Sequence, residues 1–288
     1  MAKITAIGVA PDYTLQTIRD LALNLRTAET AKVTASWGDG TSSSYKPMGG
    51  ITHPEHLYEA DGIYRLTLTA SGTGSTMTRN YNVVVDATPD QFLTNEINGT
   101  RGNDIAIGTN SYYNLFYLGT GNDLARGGSY WDYMVGGAGN DTLYGGASQD
   151  NLQGGVGNDL LFGGHDNDLI SGGAGNDTLS GGQGPDVFVF DAALNAKTNV
   201  DRIIDFSHAD DTIHLSRSKF GGITKKGVLN PAAFHIGKQA HDKDDRIIYD
   251  KATGALYYDR DGTGAGSAVK FAQVDKGVKI THDDFFMV

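Results

Sequence analysis

None of the 288 residues is cysteine, so no disulfide staples the fold and thiol chemistry is excluded. No apolar run approaches the 18 or more residues of a membrane-spanning helix. The opening stretch Met1 to Pro11 lacks the basic-then-apolar pattern of a cleaved signal peptide, so export would need another address. Positive charge is in short supply: 23 Lys and Arg stand against 34 Asp and Glu, for a net charge of −11. A surface so poor in Lys and Arg suits neither nucleic acid nor an anionic membrane and favours cations as partners. Catalytic signatures are missing too, with no His-Glu-x-x-His, no Gly-x-Ser-x-Gly and no phosphate loop, so no enzyme is expected.

What the chain does have is glycine, 40 residues against 6 prolines. Without a three-residue period this is not collagen; it marks many backbone positions that need conformations closed to other residues. Eight aspartates, Asp123, Asp132, Asp141, Asp150, Asp159, Asp168, Asp177 and Asp186, succeed one another at a strict nine-residue spacing. Leu143, Leu152, Leu161, Ile170, Leu179 and Phe188 stand two residues after an Asp, so each unit reads as a loop plus a three-residue strand. One such strand buries a single side chain, and only stacking makes a continuous core. Two units make a coil of 18 residues, which brings every second Asp into a vertical file about 4.8 Å apart. Neighbouring charges in such a file repel by roughly 3 kcal/mol at an effective dielectric of about 20. The files therefore call for a bound cation, and carboxylates with glycine carbonyls in a flexible loop suit calcium better than magnesium or zinc.

The unit Gly136-Gly137-Ala138-Gly139-Asn140-Asp141-Thr142-Leu143-Tyr144 resembles the nonapeptide of RTX calcium-binding proteins, and the resemblance runs from Gly99 to Phe190. It implies a parallel β-roll with several calcium ions, each held between loops two repeats apart. By that resemblance Asp141 and the carbonyls of Gly137 and Gly139 serve from one loop, and odd-position carbonyls come from its neighbour. The implied metal-binding set is Asp104, Asp123, Gly136, Gly137, Ala138, Gly139, Asn140, Asp141, Asp150, Gly154, Gly155, Val156, Gly157, Asn158, Asp159, Asp168, Gly172, Gly173, Gly175, Asp177 and Asp186. The two files differ. One repeats Gly-Asn-Asp throughout and should bind well; the other reads Tyr112-Tyr113-Asn114, Tyr130-Trp131-Asp132, Ser148-Gln149-Asp150, Asp166-Asn167-Asp168 and Gly184-Pro185-Asp186. Asn114 lacks the charge, and Tyr112 and Tyr130 stand where a glycine conformation is expected, so calcium should be weak at that end. Tyr112, Tyr113, Tyr130 and Trp131 either close the open end of the roll or form a platform for a sugar or protein partner.

The expected chain is all-β and has three parts. Residues 1–88 read as short alternating strands of an antiparallel sandwich. There Trp37-Gly38-Asp39-Gly40, His56-x-Tyr58 and Gly62-x-Tyr64-x-Leu66-x-Leu68 resemble the polycystic-kidney-disease (PKD) type of immunoglobulin-like domain, with Trp37 and Tyr64 expected in the core and Asp39-Gly40 in a turn. Residues 87–95, with Pro89, read as a linker and 96–190 as the roll. Residues 191–288 read as a β-rich cap, since a solenoid needs its end covered. Val200 to Phe206, Asp211 to Ser216, and Asp245 to Asp250 with Leu256 to Gly262 resemble the segment beyond the repeats in serralysin-type proteases. The ending Asp284-Phe285-Phe286-Met287-Val288 resembles the type I secretion signal of RTX proteins, which implies a secretion apparatus as partner and a bacterial surface or extracellular location. Asp259-x-Asp261-Gly262 opens like an EF-hand loop but has no Glu at its twelfth place. The expected role is a calcium-folded structural or adhesive module, with a carbohydrate-binding module of a polysaccharide-acting enzyme as the alternative.

Overall fold

The computed structural model describes residues 3–8, 17–18, 22–26, 32–45, 56–57, 62–72, 75–85, 94–108 and 113–288. Among these, every extended element is β, two three-residue 3-10 turns are the only helical pieces, and no helix is long and apolar enough to cross a membrane.

The nine-residue unit builds a parallel solenoid of about five turns. In each unit the residue two places after the Asp points inward, and Leu143, Leu152, Leu161, Ile170, Leu179 and Phe188 are wholly buried. Their neighbours face outward, as the two-residue period of a strand dictates. Alternate units stack into opposite walls. On one, Thr142–Gly146, Leu160–His165 and Thr178–Gln183 pair in parallel with Leu143 beside Leu161 and Leu161 beside Leu179. On the other, Asp132–Ala138, Asn151–Val156, Leu169–Ala174 and Val187–Phe190 align Met134, Leu152, Ile170 and Phe188. Each fully buried Leu or Ile contributes roughly 1.5–3 kcal/mol, and the unbroken column supplies what one unit alone cannot.

These strands run to five, six or seven residues in the central repeats, longer than the expected three. The glycines extend them. Gly137 pairs with Gly155 and Gly155 with Gly173, while Gly139 N donates to Val156 O and Gly157 N to Ala174 O, both at 2.8 Å. The turns therefore stack in register and share the ladder.

The same two walls continue past the repeats. Asp201–Ile203 comes after Thr178–Gln183, and Val269–Gln273, Ala255–Tyr258, Ile247–Asp250 and Phe234–Ile236 extend that sheet. On the other wall Thr212–Leu215 comes after Val187–Phe190, and Phe285–Met287 lies beside it in parallel. Phe285 and Met287 are buried in the common core, which makes the end of the chain part of the cap's structure.

Before the repeats, Ser42–Tyr45, Lys32–Ser36, Gly62–Gly72 and Ser75–Val85 form an antiparallel sheet. Its last strand pairs in parallel with Asp104–Ile107, Val83 beside Ile105, so this sheet runs directly into one wall of the roll. Thr94–Asn98 opens the other wall against Tyr113–Tyr117. Trp37 is wholly buried and Asp39 makes a turn, its Oδ1 accepting from Thr41 N at 2.9 Å, as expected, while Tyr64 is only partly buried. Two small pairs, Lys3–Gly8 with Ala22–Arg26 and Thr17–Ile18 with His56–Leu57, stand apart from this sheet. Tyr58 and residues 87–93 of the expected linker lie outside the described residues.

Candidate metal centre

The aspartates of both files are buried side chains on a polar ladder. In one file Asp123 N donates to Asp141 Oδ1, Asp141 N to Asp159 Oδ1 and Asp159 N to Asp177 Oδ1, each at 2.8 Å. In the other, Asp132, Asp150 and Asp168 donate in the same way to Asp150, Asp168 and Asp186 at 2.8–2.9 Å. Each carboxylate thus holds the coil before it with one oxygen. The second oxygen is left over: Oδ2 of Asp123, Asp141, Asp150, Asp159, Asp168, Asp177 and Asp186 is buried with no hydrogen-bond partner. A buried unpaired carboxylate oxygen costs several kcal/mol unless a cation reaches it.

Space is kept beside those oxygens. A β-carbon at Gly136 would sit 2.5 Å from Asp141 Oδ2 and 2.7 Å from the carbonyl oxygen of Gly154 in the next coil. Gly154 and Gly172 hold the same place beside Asp159 and Asp177. The donors around each opening are carboxylate and carbonyl oxygens, a hard set that fits calcium. When bound, calcium would supply positive charge between loops of successive coils; Asp141, Asp159 and Asp177 on one file and Asp150, Asp168 and Asp186 on the other carry the oxygens that would hold it.

Burial pushes these carboxyls upward, to about 7 at Asp123 and Asp159, 6 at Asp141 and Asp186, and 8 at Asp168. Asp150 goes furthest, to about 9, from burial and then from the charge of Asp132. Without metal, burial therefore favours the protonated form of these groups. Their contribution to folding is fully present below the ordinary value of 3.8 and is lost as pH rises towards about 6–9. The metal-free chain is expected to melt at progressively lower temperature between about pH 4 and pH 8 in EDTA. With excess calcium the trend should reverse, since protons compete with the ion. A metal-free melting temperature that rises with pH across that interval would contradict this account.

The ends of the files differ from the middle in a way the spacing did not show. Asp104, expected as a ligand, has both oxygens taken: Thr100 N donates to Oδ2 at 2.6 Å and Thr100 Oγ1 to Oδ1 at 2.9 Å. Asp132 is closed likewise, with Gly128 N on Oδ2 at 2.6 Å and Asn114 Nδ2 on Oδ1 at 2.6 Å. The amide of Asn114 supplies the donor that an Asp there would lack, so the second file ends on one carboxylate rather than two. Tyr130 is not in the left-handed region expected of it. Ser148 and Asp166 are, both at φ 73°, so the second file keeps that loop conformation without glycine at these two places. Ser and Asp hold it at some strain cost.

Three features were not read from the spacing. Asn122, Asn140, Asn158 and Asn176 form a second ladder, each side-chain oxygen accepting from the backbone one coil on, as Asn140 Oδ1 does from Asn158 N at 2.7 Å. The Asn repeated in every Gly-Asn-Asp was the signal. Asp201 and Asp211 prolong the two files, accepting from Asp177 N at 3.1 Å and Asp186 N at 3.0 Å, though the strict period has stopped. Asp205 fastens the last loop through Gly181 N and Gly182 N.

On the outer wall Tyr113, Tyr117, Tyr130 and Trp131 are 37–46 % exposed. Tyr113 meets Tyr130 and Trp131 edge-on at 6.2 and 6.1 Å, and Trp131 stacks on Tyr133 at 6.4 Å. Tyr112 lies outside the described residues.

Residues 117–152, 126–161 and 153–188 match the family of the RTX calcium-binding nonapeptide repeat. No curated protein matches the chain. The matched repeats and the parallel solenoid support an RTX β-roll, whose repeats bind calcium in general.

Proposed function

We propose that the chain is a non-catalytic calcium-binding module, exported by a type I apparatus, that folds outside the cell and serves as a structural or adhesive part of a bacterial surface or matrix. The seven buried, unpartnered Asp Oδ2 atoms carry the reading, because a cation is the direct way to satisfy them together. In this reading the aspartates with an open oxygen hold the ions together with the loop carbonyls, while Asp104, which the sequence placed among the ligands, and Asp132, which it did not, are structural. Export rests on the RTX resemblance of the repeats, and the PKD-like sandwich on the buried Trp37 and its turn.

Substitution separates the open from the closed positions. Asp159→Asn should weaken calcium binding at least tenfold at its site and lower the number of ions bound, measured by calorimetric titration. Asp132→Asn should leave the number unchanged. Equal effects at both positions would remove the basis for assigning the ligands.

The aromatic group on Tyr113, Tyr117, Tyr130, Trp131 and Tyr133 favours a second reading as a carbohydrate-binding module. The exposed rings offer apolar faces, and Asn151, paired with Tyr133 on the neighbouring strand, offers an amide for hydrogen bonds, the two things a sugar uses. Tyr130 and Trp131 changed to Ala together should abolish retention on a polysaccharide column while leaving the calcium-saturated melting temperature within a few degrees. A lost melting temperature would make the rings structural.

A further inference from the structure

We infer that the cap holds a second kind of metal site, for a divalent transition ion of the zinc class, formed by His235, His241, Asp242 and Asp245. His241, Asp242 and Asp245 each present a ligand atom within 4.8 Å of the others. His235 comes from the strand Phe234–Ile236, its ring stacked on that of His241 with centroids 5.5 Å apart and 16° between planes. Its Nδ1 lies 4.0 Å from Asp245 Oδ2.

The backbone holds the group together before any ion arrives. Asp245, a buried carboxylate, accepts from His241 N at 2.6 Å and Asp242 N at 3.0 Å, and Asp242 Oδ1 accepts from Asp244 N at 2.8 Å. The Asp244 amide thereby holds the Asp242 carboxyl below the ordinary carboxylate range and leaves Oδ2 towards His241 Nδ1, 3.9 Å away. Arg246 Nη1 clamps the loop from below through the carbonyls of Lys243 and Asp245 at 2.8 and 2.7 Å. Gly237 makes room for the other ring, since a β-carbon there would stand 2.6 Å from His235 Nε2.

The donor set decides the metal. Calcium takes oxygen alone, whereas two imidazoles with two carboxylates suit zinc, cobalt or nickel. Bonds of about 2.0–2.2 Å need the ligand atoms closer together than they stand. His241 and Asp242, with side chains 75 % and 56 % exposed, swing in by rotation while Asp245 remains anchored. The ladder carboxylates and loop carbonyls offer oxygen alone, so calcium and this ion do not compete for the same donors.

The test uses the full chain with calcium in millimolar excess, so that the files stay occupied. Zinc titrated by calorimetry should bind at one equivalent, and cobalt should show the visible absorption of a nitrogen-ligated, low-coordinate ion. His235→Ala with His241→Ala should lower zinc affinity at least tenfold and remove the cobalt band. His241→Ala alone, at an exposed position, should do most of this with an unchanged calcium-loaded circular dichroism spectrum. Equal zinc uptake by the wild type and the double variant, or a cobalt spectrum of an all-oxygen octahedral ion, overturns the assignment.

Discussion

In chelator at pH 8, where the file carboxyls are driven to ionise, the repeat region should lose its β-structure, and millimolar calcium should restore it. The cause lies in the two files. Each inner loop buries a carboxylate with one oxygen spent on the ladder and the other unpaired, and successive carboxylates in a file stand one coil apart. Without an ion the fold must either protonate them or bear their repulsion, about 3 kcal/mol for each neighbouring pair at an effective dielectric of about 20. With calcium at a hundredfold above its dissociation constant, each site adds about 2.7 kcal/mol, and a few such sites equal the whole stability of an ordinary domain. Extracellular calcium modules bind at about 10⁻⁴–10⁻³ M, so low intracellular calcium would leave the chain unfolded and able to pass an exporter. Far-UV circular dichroism in EDTA and in 10 mM calcium measures this directly. Identical spectra would refute coupled binding and folding.

Gly139→Ala should cost far more than Gly227→Ala, although both glycines have positive φ, 131° and 94°. Strain alone is about 1–3 kcal/mol at either place. At Gly227 a β-carbon meets nothing within 4 Å, so strain is the whole effect. At Gly139 it runs into the carbonyl oxygen of Gly121 in the preceding coil, backbone that cannot yield without breaking the stack. Gly139→Ala should therefore lose well over about 3 kcal/mol in saturating calcium, beyond the strain shared by both sites. Its calcium titration should also become less cooperative, because two coils no longer register. Guanidinium unfolding of both variants in calcium gives the comparison. Similar losses at the two sites would mean that the loops adapt and that close stacking is not what the glycine serves.

The sequence by itself determined the repeating part. A nine-residue period with one apolar place per unit admits one arrangement, since Leu143, Leu161 and Leu179 reach a common core only if alternate units stack. The same spacing put the aspartates in files and made oxygen the donor, so calcium was legible before any geometry. Tertiary structure decided which aspartates are open. Asp104, Asp123 and Asp141 each close the same Gly-Asn-Asp triplet, yet Thr100 turns its amide onto Asp104, as Gly128 does onto Asp132, and Asp123 and Asp141 keep a bare oxygen. Such closure depends on how a loop at the end of the roll folds back on itself when no further coil constrains it. The continuation of the files into Asp201 and Asp211 was hidden for a related reason. The spacing there lengthens to 24 and 25 residues, and only the hydrogen bonds to Asp177 and Asp186 show that two irregular segments occupy the place of one more coil. Periodicity reports contacts that repeat along the chain; it is silent where a single contact across the fold takes over, as it does where Phe285 and Met287 come back from the far end of the sequence to close the core.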